Sequence, residues 1–230
     1  MVRKDLLSAH GQQREEPAIN AARYSPNRRA AKWYYDRGEE FYQTGRYRRA
    51  AGAFAKSIRR APGSPMAYAG RGLSLARLNR SQRAVRSLER AMALAAEAGR
   101  YDAPPWLPQA AYESGRAYER LEQFYMAPRC YTKALDLAVD SGSTATHEIL
   151  SRRGGVRLRL KQFKSALQDL DRSVALVPDS ALAYFNRAHA HEAMGDTVAA
   201  ASDLRAYLEL ASSEDPLRTE TTAHIASLTQ

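Results

Sequence analysis

Cysteine is nearly absent: Cys130 stands alone in a chain of 230 residues. A lone cysteine excludes an internal disulfide framework and fits a reducing compartment. Long apolar runs are missing too. Nothing approaches the roughly 18 to 20 apolar residues of a membrane span. The opening stretch, residues 1–16, has no apolar segment long enough for a signal peptide, and neither end carries a lipid-attachment signal. The expected compartment is therefore cytoplasmic. Signs of catalysis are equally scarce. There is no phosphate loop and no nucleophile elbow. The five histidines are scattered. His189 and His191 are two apart, so on a helix they point in different directions. His189 and Glu192 have helical spacing but no third ligand in view, and His191-Glu192 lacks the second histidine of a zinc-protease helix. No catalytic, metal or cofactor site is expected.

What the chain does contain is repetition. With Gly38 set at position 8 of a unit, units begin at Ala31, Pro65, Pro108, His147 and Ala181. Position 8 then reads Gly38, Gly72, Gly115, Gly154 and Ala188. Position 20 is alanine throughout: Ala50, Ala84, Ala127, Ala166 and Ala200. Position 24 is large: Phe54, Leu88, Tyr131, Leu170 and Leu204. Small residues at two places per hairpin allow antiparallel helices to approach closely, with the large residue filling the space between them. Pro62 and Pro178 close units one and four, where a helix must stop.

This pattern resembles the tetratricopeptide repeat (TPR) family over Ala31–Glu214, with a period near 34 residues. The resemblance implies an all-α fold: a right-handed α-solenoid of five TPR helix pairs and a C-terminal capping helix. Each unit would bury its apolar face only against its neighbours. The composition suits this, with 44% hydrophobic residues but only 9% aromatic. Expected units are 31–64, 65–98, 108–141, 147–180 and 181–214, within a TPR domain spanning 25–230. Position 7, often leucine in the family, carries Arg37, Arg71, Ser114, Arg153 and Arg187. Asp169 and Asp203 at position 23 are the expected partners of such arginines. Position 11 ends in Arg157 and His191, poor core residues. Pro128 is tolerable only in the first turn of its helix.

Residues 1–24 are polar and aperiodic and read as a flexible basic arm. Ser25-Pro26 and Ser64-Pro65 look like helix starts. Nine extra residues around Gly99–Pro108 separate units two and three, and their proline and glycine content interrupts the helix. Trp106 in that insertion is expected to plug the seam between those units, with an exposed anchor as the alternative. A second insertion, Asp140–Thr146, has loop composition. Asp215 and Pro216 start a last helix, about 216–228, on which Leu217, Ile225 and Leu228 can share one face.

In the TPR family the first helices line a concave groove. The resemblance assigns to that groove Tyr35, Tyr42, Arg77, Tyr112, Arg116, Arg120, Arg152, Arg159, Phe185, Asn186 and His189. Position 13 is arginine in three successive units: Arg77, Arg120 and Arg159. Guanidinium groups beside tyrosines suit an extended or helical segment of an acidic partner protein. The alternative is that arginines here are solvated or paired with Glu113, Glu119 and Glu148. The family's two-carboxylate clamp for chaperone tails is absent, since Tyr35, Glu39 and Gly70 hold its first positions. Charge is uneven: residues 1–98 hold 20 Lys/Arg against 8 Asp/Glu. Much of the excess falls on second helices: Arg48, Arg49, Lys56, Arg59, Arg60, Arg83, Arg86 and Arg90. The expected function is a non-enzymatic scaffold or adaptor. Docking through this basic convex patch onto a ribonucleoprotein or a membrane surface is the second reading, with nucleic acid the less favoured partner.

Overall fold

The computed structural model describes residues 26–98, 104–137 and 143–229. The expected arm at 1–24 lies outside the described residues, as do parts of both insertions. Among the described residues there are eleven helices and no strand. They are α1 (Pro26–Gln43), α2 (Tyr47–Arg60), α3 (Pro65–Arg77), α4 (Ser81–Glu97), α5 (Leu107–Arg120) and α6 (Ala127–Leu137). Then follow α7 (Ser143–Arg159), α8 (Phe163–Leu176), α9 (Ala181–Ala193), α10 (Thr197–Leu210) and α11 (Arg218–Leu228). The first ten pack as five antiparallel pairs, each against the next, and α11 packs on α10. α1 also meets α3, α3 meets α5 and α7 meets α9, whereas successive second helices stay apart among the described residues. The stack therefore bends toward its first helices, which line the inner side. None of these helices is long and apolar enough to cross a membrane.

The reason for the pairing is visible at three positions. Ala50, Ala84, Ala127, Ala166 and Ala200 are all 0% exposed. The large residues Phe54, Leu88, Tyr131, Leu170 and Leu204 are buried with them. The first four each meet a glycine of the facing first helix. A methyl group added to Gly38 would lie 2.7 Å from the Phe54 ring, and one on Gly115 2.6 Å from the Tyr131 ring. Gly72 faces Leu88 at 2.6 Å and Gly154 faces Leu170 at 2.7 Å. Phe54 is clasped from both sides, because Gly70 of the next pair also abuts it. Close contact without a gap is what gives a packed interior its dispersion energy.

The turn inside every pair is the same device. The second residue past the first helix has positive φ: Gly45 (72°), Asn79 (55°), Glu122 (58°), Lys161 (57°) and Gly195 (84°). Its N–H, and that of the residue after it, fold back on the last helical turn. Gly45 donates to the Tyr42 carbonyl at 3.0 Å and Arg46 to the Phe41 carbonyl at 2.8 Å. The other four turns repeat these bonds. This is the Schellman closure, which satisfies orphan carbonyls at a helix end. Glycine marks it only in pairs one and five, so three of the five turns carried no glycine signal.

Pairs four and five insert charge into the same layer. The Arg153 guanidinium donates to Asp169 twice, at 2.8 and 2.6 Å, and to the Thr132 hydroxyl at 2.8 Å. Arg157 joins the same carboxylate at 2.6 Å. Arg187 repeats the fork on Asp203 at 2.8 and 2.7 Å. The expected arginine–aspartate pairs thus form in both units. Arg157 and His191, poor core residues by sequence, are accommodated by those same acids, His191 lying 3.8 Å from Asp203. Arg37, by contrast, pairs at the surface with Glu40. Pro128 is the second residue of α6, where its missing N–H costs nothing.

The last helix keeps Ile225 and Leu228 half-buried, and polar contacts tie it to its neighbours. Asp215 accepts from the Leu217 N–H in a turn, and α11 begins only at Arg218. Leu217 is 40% exposed, and Thr221 is the buried member of the helix. Polar groups do the joining. Arg218 donates to the Leu208 and Ala211 carbonyls at the end of α10, and His224 meets Glu192 of α9 at 3.0 Å. A guanidinium on the orphan carbonyls of a helix C-terminus is favourable in both hydrogen bonding and charge.

Two pairs of substitutions test this packing by chemical denaturation. Gly→Ala in a helix normally stabilises by about 0.5–1 kcal/mol, while overpacking costs about 1–3 kcal/mol. Gly52→Ala, which meets nothing within 4 Å, should stabilise, whereas Gly72→Ala, which meets Leu88, should destabilise by about 1 kcal/mol net. Asp169→Ala strands two guanidinium groups and should cost about 3 kcal/mol. Asp171→Ala, at a half-exposed partner of Arg187, should change stability by less than about 1 kcal/mol.

Candidate peptide groove

Three zones follow one another along the inner face. In the first, α1 presents Tyr35, Glu39 and Tyr42. The Tyr35 ring packs on Phe54 with centroids 5.6 Å apart. Burial, then the neighbouring Glu39 and Asp36 carboxylates, push the Tyr35 hydroxyl up to about 12. That hydroxyl donates to Glu39, whose own carboxyl is raised above the ordinary 4.5 by burial, with Tyr35 opposing the shift and Asp36 adding to it. Tyr42 stands edge-on to Tyr47 at 5.4 Å, and its hydroxyl accepts from Arg77. A cavity of about 210 Å³ is lined by these α1 side chains, by Met66 and Leu73 of α3, and by Trp106. Trp106, half-buried at the start of α5, lines this cavity from the side of the third pair, with Met66 and Leu73 of the second pair across from it. A larger open cleft, about 670 Å³, lies beside this cavity around Lys32, Arg60 and Met66.

In the second zone the aromatic and charged residues are tied to one another. Tyr112 donates to Glu148 across the α5–α7 junction and accepts from the Arg152 Nε at 3.0 Å. Arg152 also reaches Glu148 at 3.3 Å. Arg116 lies 5.7 Å over the Tyr112 ring and 3.2 Å from buried Glu113. Burial, then the bond to Glu148, push the Tyr112 hydroxyl up to about 12, with Arg152 opposing. Burial alone would raise the Glu148 carboxyl, but Tyr112 and Arg152 outweigh it and hold the carboxyl below its ordinary value. Glu119 accepts from the Tyr131 hydroxyl. Of the groove arginines assigned from sequence, Arg116 and Arg152 are thus already paired within the protein. Among the described residues Arg120 and Arg159 make no ion pair: both are exposed, and Arg159 rests on the Phe124 ring at 5.0 Å.

In the third zone Phe185 packs on Tyr207 at 5.0 Å and stands edge-on to His189 at 4.6 Å. Asn186 lies against Gly155 of the preceding pair. His189 approaches Glu192 at 3.7 Å, and that carboxylate also holds His224. Among the described residues no group of three His, Cys, Asp or Glu is placed to hold a metal ion. Burial pushes the Cys130 thiol up to about 11, so it stays protonated at neutral pH. On the outer helices Arg48, Arg49, Lys56, Arg59, Arg60, Arg83, Arg86 and Arg90 are all exposed. Several are steadied locally: Lys56 lies 5.4 Å over Tyr34, and Arg90 lies 3.2 Å from Glu97.

Five helix pairs curved about an inner face define an all-α repeat scaffold. The tetratricopeptide repeat family models match residues 35–103 and 154–227, together more than half of the chain. The chain belongs to the tetratricopeptide repeat family, and such repeats make it a protein-interaction scaffold. It is similar to the mitochondrial import receptor subunit TOM70 of Homo sapiens and of Rattus norvegicus, 29% identical over 98 residues in each case. That match covers 43% of this chain and spans only 16% of the length of those relatives. Among solved structures it is similar to YrrB, described as a TPR protein with an unusual peptide-binding site. The TM-score is 0.71 at 17% identity, covering 90% of this chain and 98% of that one. It is also similar to MamA, with a TM-score of 0.66 at 18% identity, covering 85% and 94%. At these identities the likeness shows the fold.

Glu39 gives a test of the first zone. A carboxyl raised by folding contributes stability while protonated, below its ordinary value of 4.5, and that stability is lost as pH rises through the folded value. Glu39→Gln keeps an acceptor for Tyr35 without the charge. Its melting temperature should exceed that of the parent protein at neutral pH, and the difference should vanish in thermal scans below pH 4.5.

Proposed function

We propose that the protein is a non-enzymatic adaptor whose inner face holds an extended or helical segment of an acidic partner protein. The observation that carries this reading is the state of one row of arginines. Arg77, Arg120 and Arg159 recur at one register of three successive first helices. Among the described residues none of them makes an ion pair with a carboxylate, while Arg116 and Arg152 beside them do. Unpaired guanidinium groups on aromatic surfaces are suited to fork onto carboxylates, and aromatic and arginine anchors dominate binding energy in such interfaces. The names of the similar proteins, an import receptor subunit and a TPR protein with a peptide-binding site, point to the same class of ligand. We place the protein in the cytoplasm, where a protonated lone thiol is stable.

The uneven charge favours a second reading specifically. The exposed cations of α2 and α4 would dock on phosphate groups of a ribonucleoprotein or on an anionic membrane surface.

Fluorescence anisotropy with a labelled glutamate-rich decapeptide separates the two readings. Combining Arg120→Ala with Arg159→Ala should weaken binding about tenfold. Changing Arg48, Arg59, Arg83 and Arg86 to Glu should leave it unaltered. If the peptide ignores the inner changes, while labelled single-stranded RNA or anionic vesicles lose affinity with the outer ones, the second reading replaces the first.

A further inference from the structure

The cavity of the first zone presents an acid where Arg120 and Arg159, farther along the inner face, present bases. Tyr35, Tyr42 and Trp106 line one cavity, and Glu39 lines it with them. Of the acids nearby, Asp36 is paired with Lys32 at 2.6 Å and Glu40 with Arg37 at 2.7 Å, both on the surface. Glu39 has no such partner. Among the described residues the groups acting on it are the Tyr35 hydroxyl and the Asp36 carboxylate, and no cation is among them. A half-buried carboxylate without a cation is unfavourable, and its raised carboxyl value reflects that. The exposed Arg77 guanidinium is engaged by the Tyr42 hydroxyl.

Aromatic faces carry negative quadrupole density, so rings and carboxylate act in one direction. Such a cavity repels an anionic group and attracts a cationic one. Its volume of about 210 Å³ is below the roughly 300–1,000 Å³ of small-molecule sites, and suits one side chain. The wall is also set in advance. Trp106 follows two prolines, Pro104 and Pro105, and the linker is pinned where Leu107 donates to the Pro104 carbonyl at 2.8 Å and Ala110 to the Trp106 carbonyl at 2.9 Å. A pre-ordered wall spares the ordering cost of binding.

We propose that Tyr35, Tyr42 and Trp106, together with Glu39, form an aromatic cage for one basic side chain, lysine or arginine, of the bound segment. This rests on the reading that the inner face holds a partner segment, and it adds polarity to it. The residue docked in the cavity is basic, and the residues docked at Arg120 and Arg159 are acidic. A segment of mixed charge is therefore held in one direction only, because the reversed segment sets like charges against each other at both ends.

The cage is testable without the partner. Trp33 is 61% exposed, so Trp33→Phe leaves Trp106 as the sole tryptophan and a reporter of the cavity. The probes are N-acetyl-arginine amide and its neutral isostere N-acetyl-citrulline amide, titrated by fluorescence into the full chain. The expected result is a saturable change with the arginine probe and a response at least fivefold weaker with citrulline. Glu39→Gln should weaken the arginine probe about fivefold, although that variant is the more stable protein. Tyr35→Phe, which keeps the ring and frees Glu39 of its hydrogen bond, should retain binding. Equal responses to the two probes, or an unchanged response in Glu39→Gln, would overturn the cage. The glutamate-rich decapeptide, run in parallel, separates the two claims. If it binds through Arg120 and Arg159 while the probes are not distinguished, the cage alone falls. If the cage selects arginine while the decapeptide fails to bind, the acidic-partner reading falls and the cage stands.

Discussion

The structure depends on the meeting of one bulky side chain with one bare backbone in each helix pair. Phe54, Leu88, Tyr131 and Leu170 each sit within contact of a glycine whose Cβ would collide with them. With alanine fixed at the other close approach, the helices pack without voids despite few aromatic residues in the chain. In the fifth pair Ala188 replaces glycine opposite Leu204, and both remain buried. No pair has a core of its own size, so stability is shared between neighbours, and Phe54, held by Gly38 and Gly70, joins two pairs at once.

The charged layer of pairs four and five serves the same geometry by another route. A forked guanidinium meets a carboxylate where the earlier pairs have Ala53, Ser87 or Cys130 in place of the aspartate. Such pairs contribute modestly to net stability, yet leaving one member alone is costly. They specify which helices meet, since Arg153 has one well-formed partner set of Asp169 and Thr132. The middle of the inner face uses the same logic, with Tyr112, Glu148 and Arg152 joining α5 to α7. Arginines that look alike by spacing thus divide into two kinds. Arg152 joins α5 to α7 and Arg116 pairs within α5, while among the described residues Arg120 and Arg159 make no ion pair.

Legibility followed the range of the interaction. The alanine and glycine positions were readable because each acts on a residue sixteen or so places away in the same hairpin, and the period repeats the pattern. The arginine–aspartate forks were readable for the same reason. The turns were readable only at Gly45 and Gly195. Asn79, Glu122 and Lys161 adopt positive φ because the closing hydrogen bonds and helix packing outweigh their local preference. The polar attachment of the last helix was not legible, since Arg218 and His224 reach the end of α10 and Glu192 of α9 through contacts that spacing along the chain does not announce.

The period and the pairing of helices were determined by the order of residues alone, since they arise from short-range sterics repeated at a constant spacing. Where Trp106 lands was decided by the tertiary structure. Its insertion breaks the period, and the path of a linker depends on the pairs on either side. The same holds for which arginines remain unpaired and for the unpaired Glu39 among three rings. Those facts depend on distances between helices that the spacing of residues along the chain does not contain.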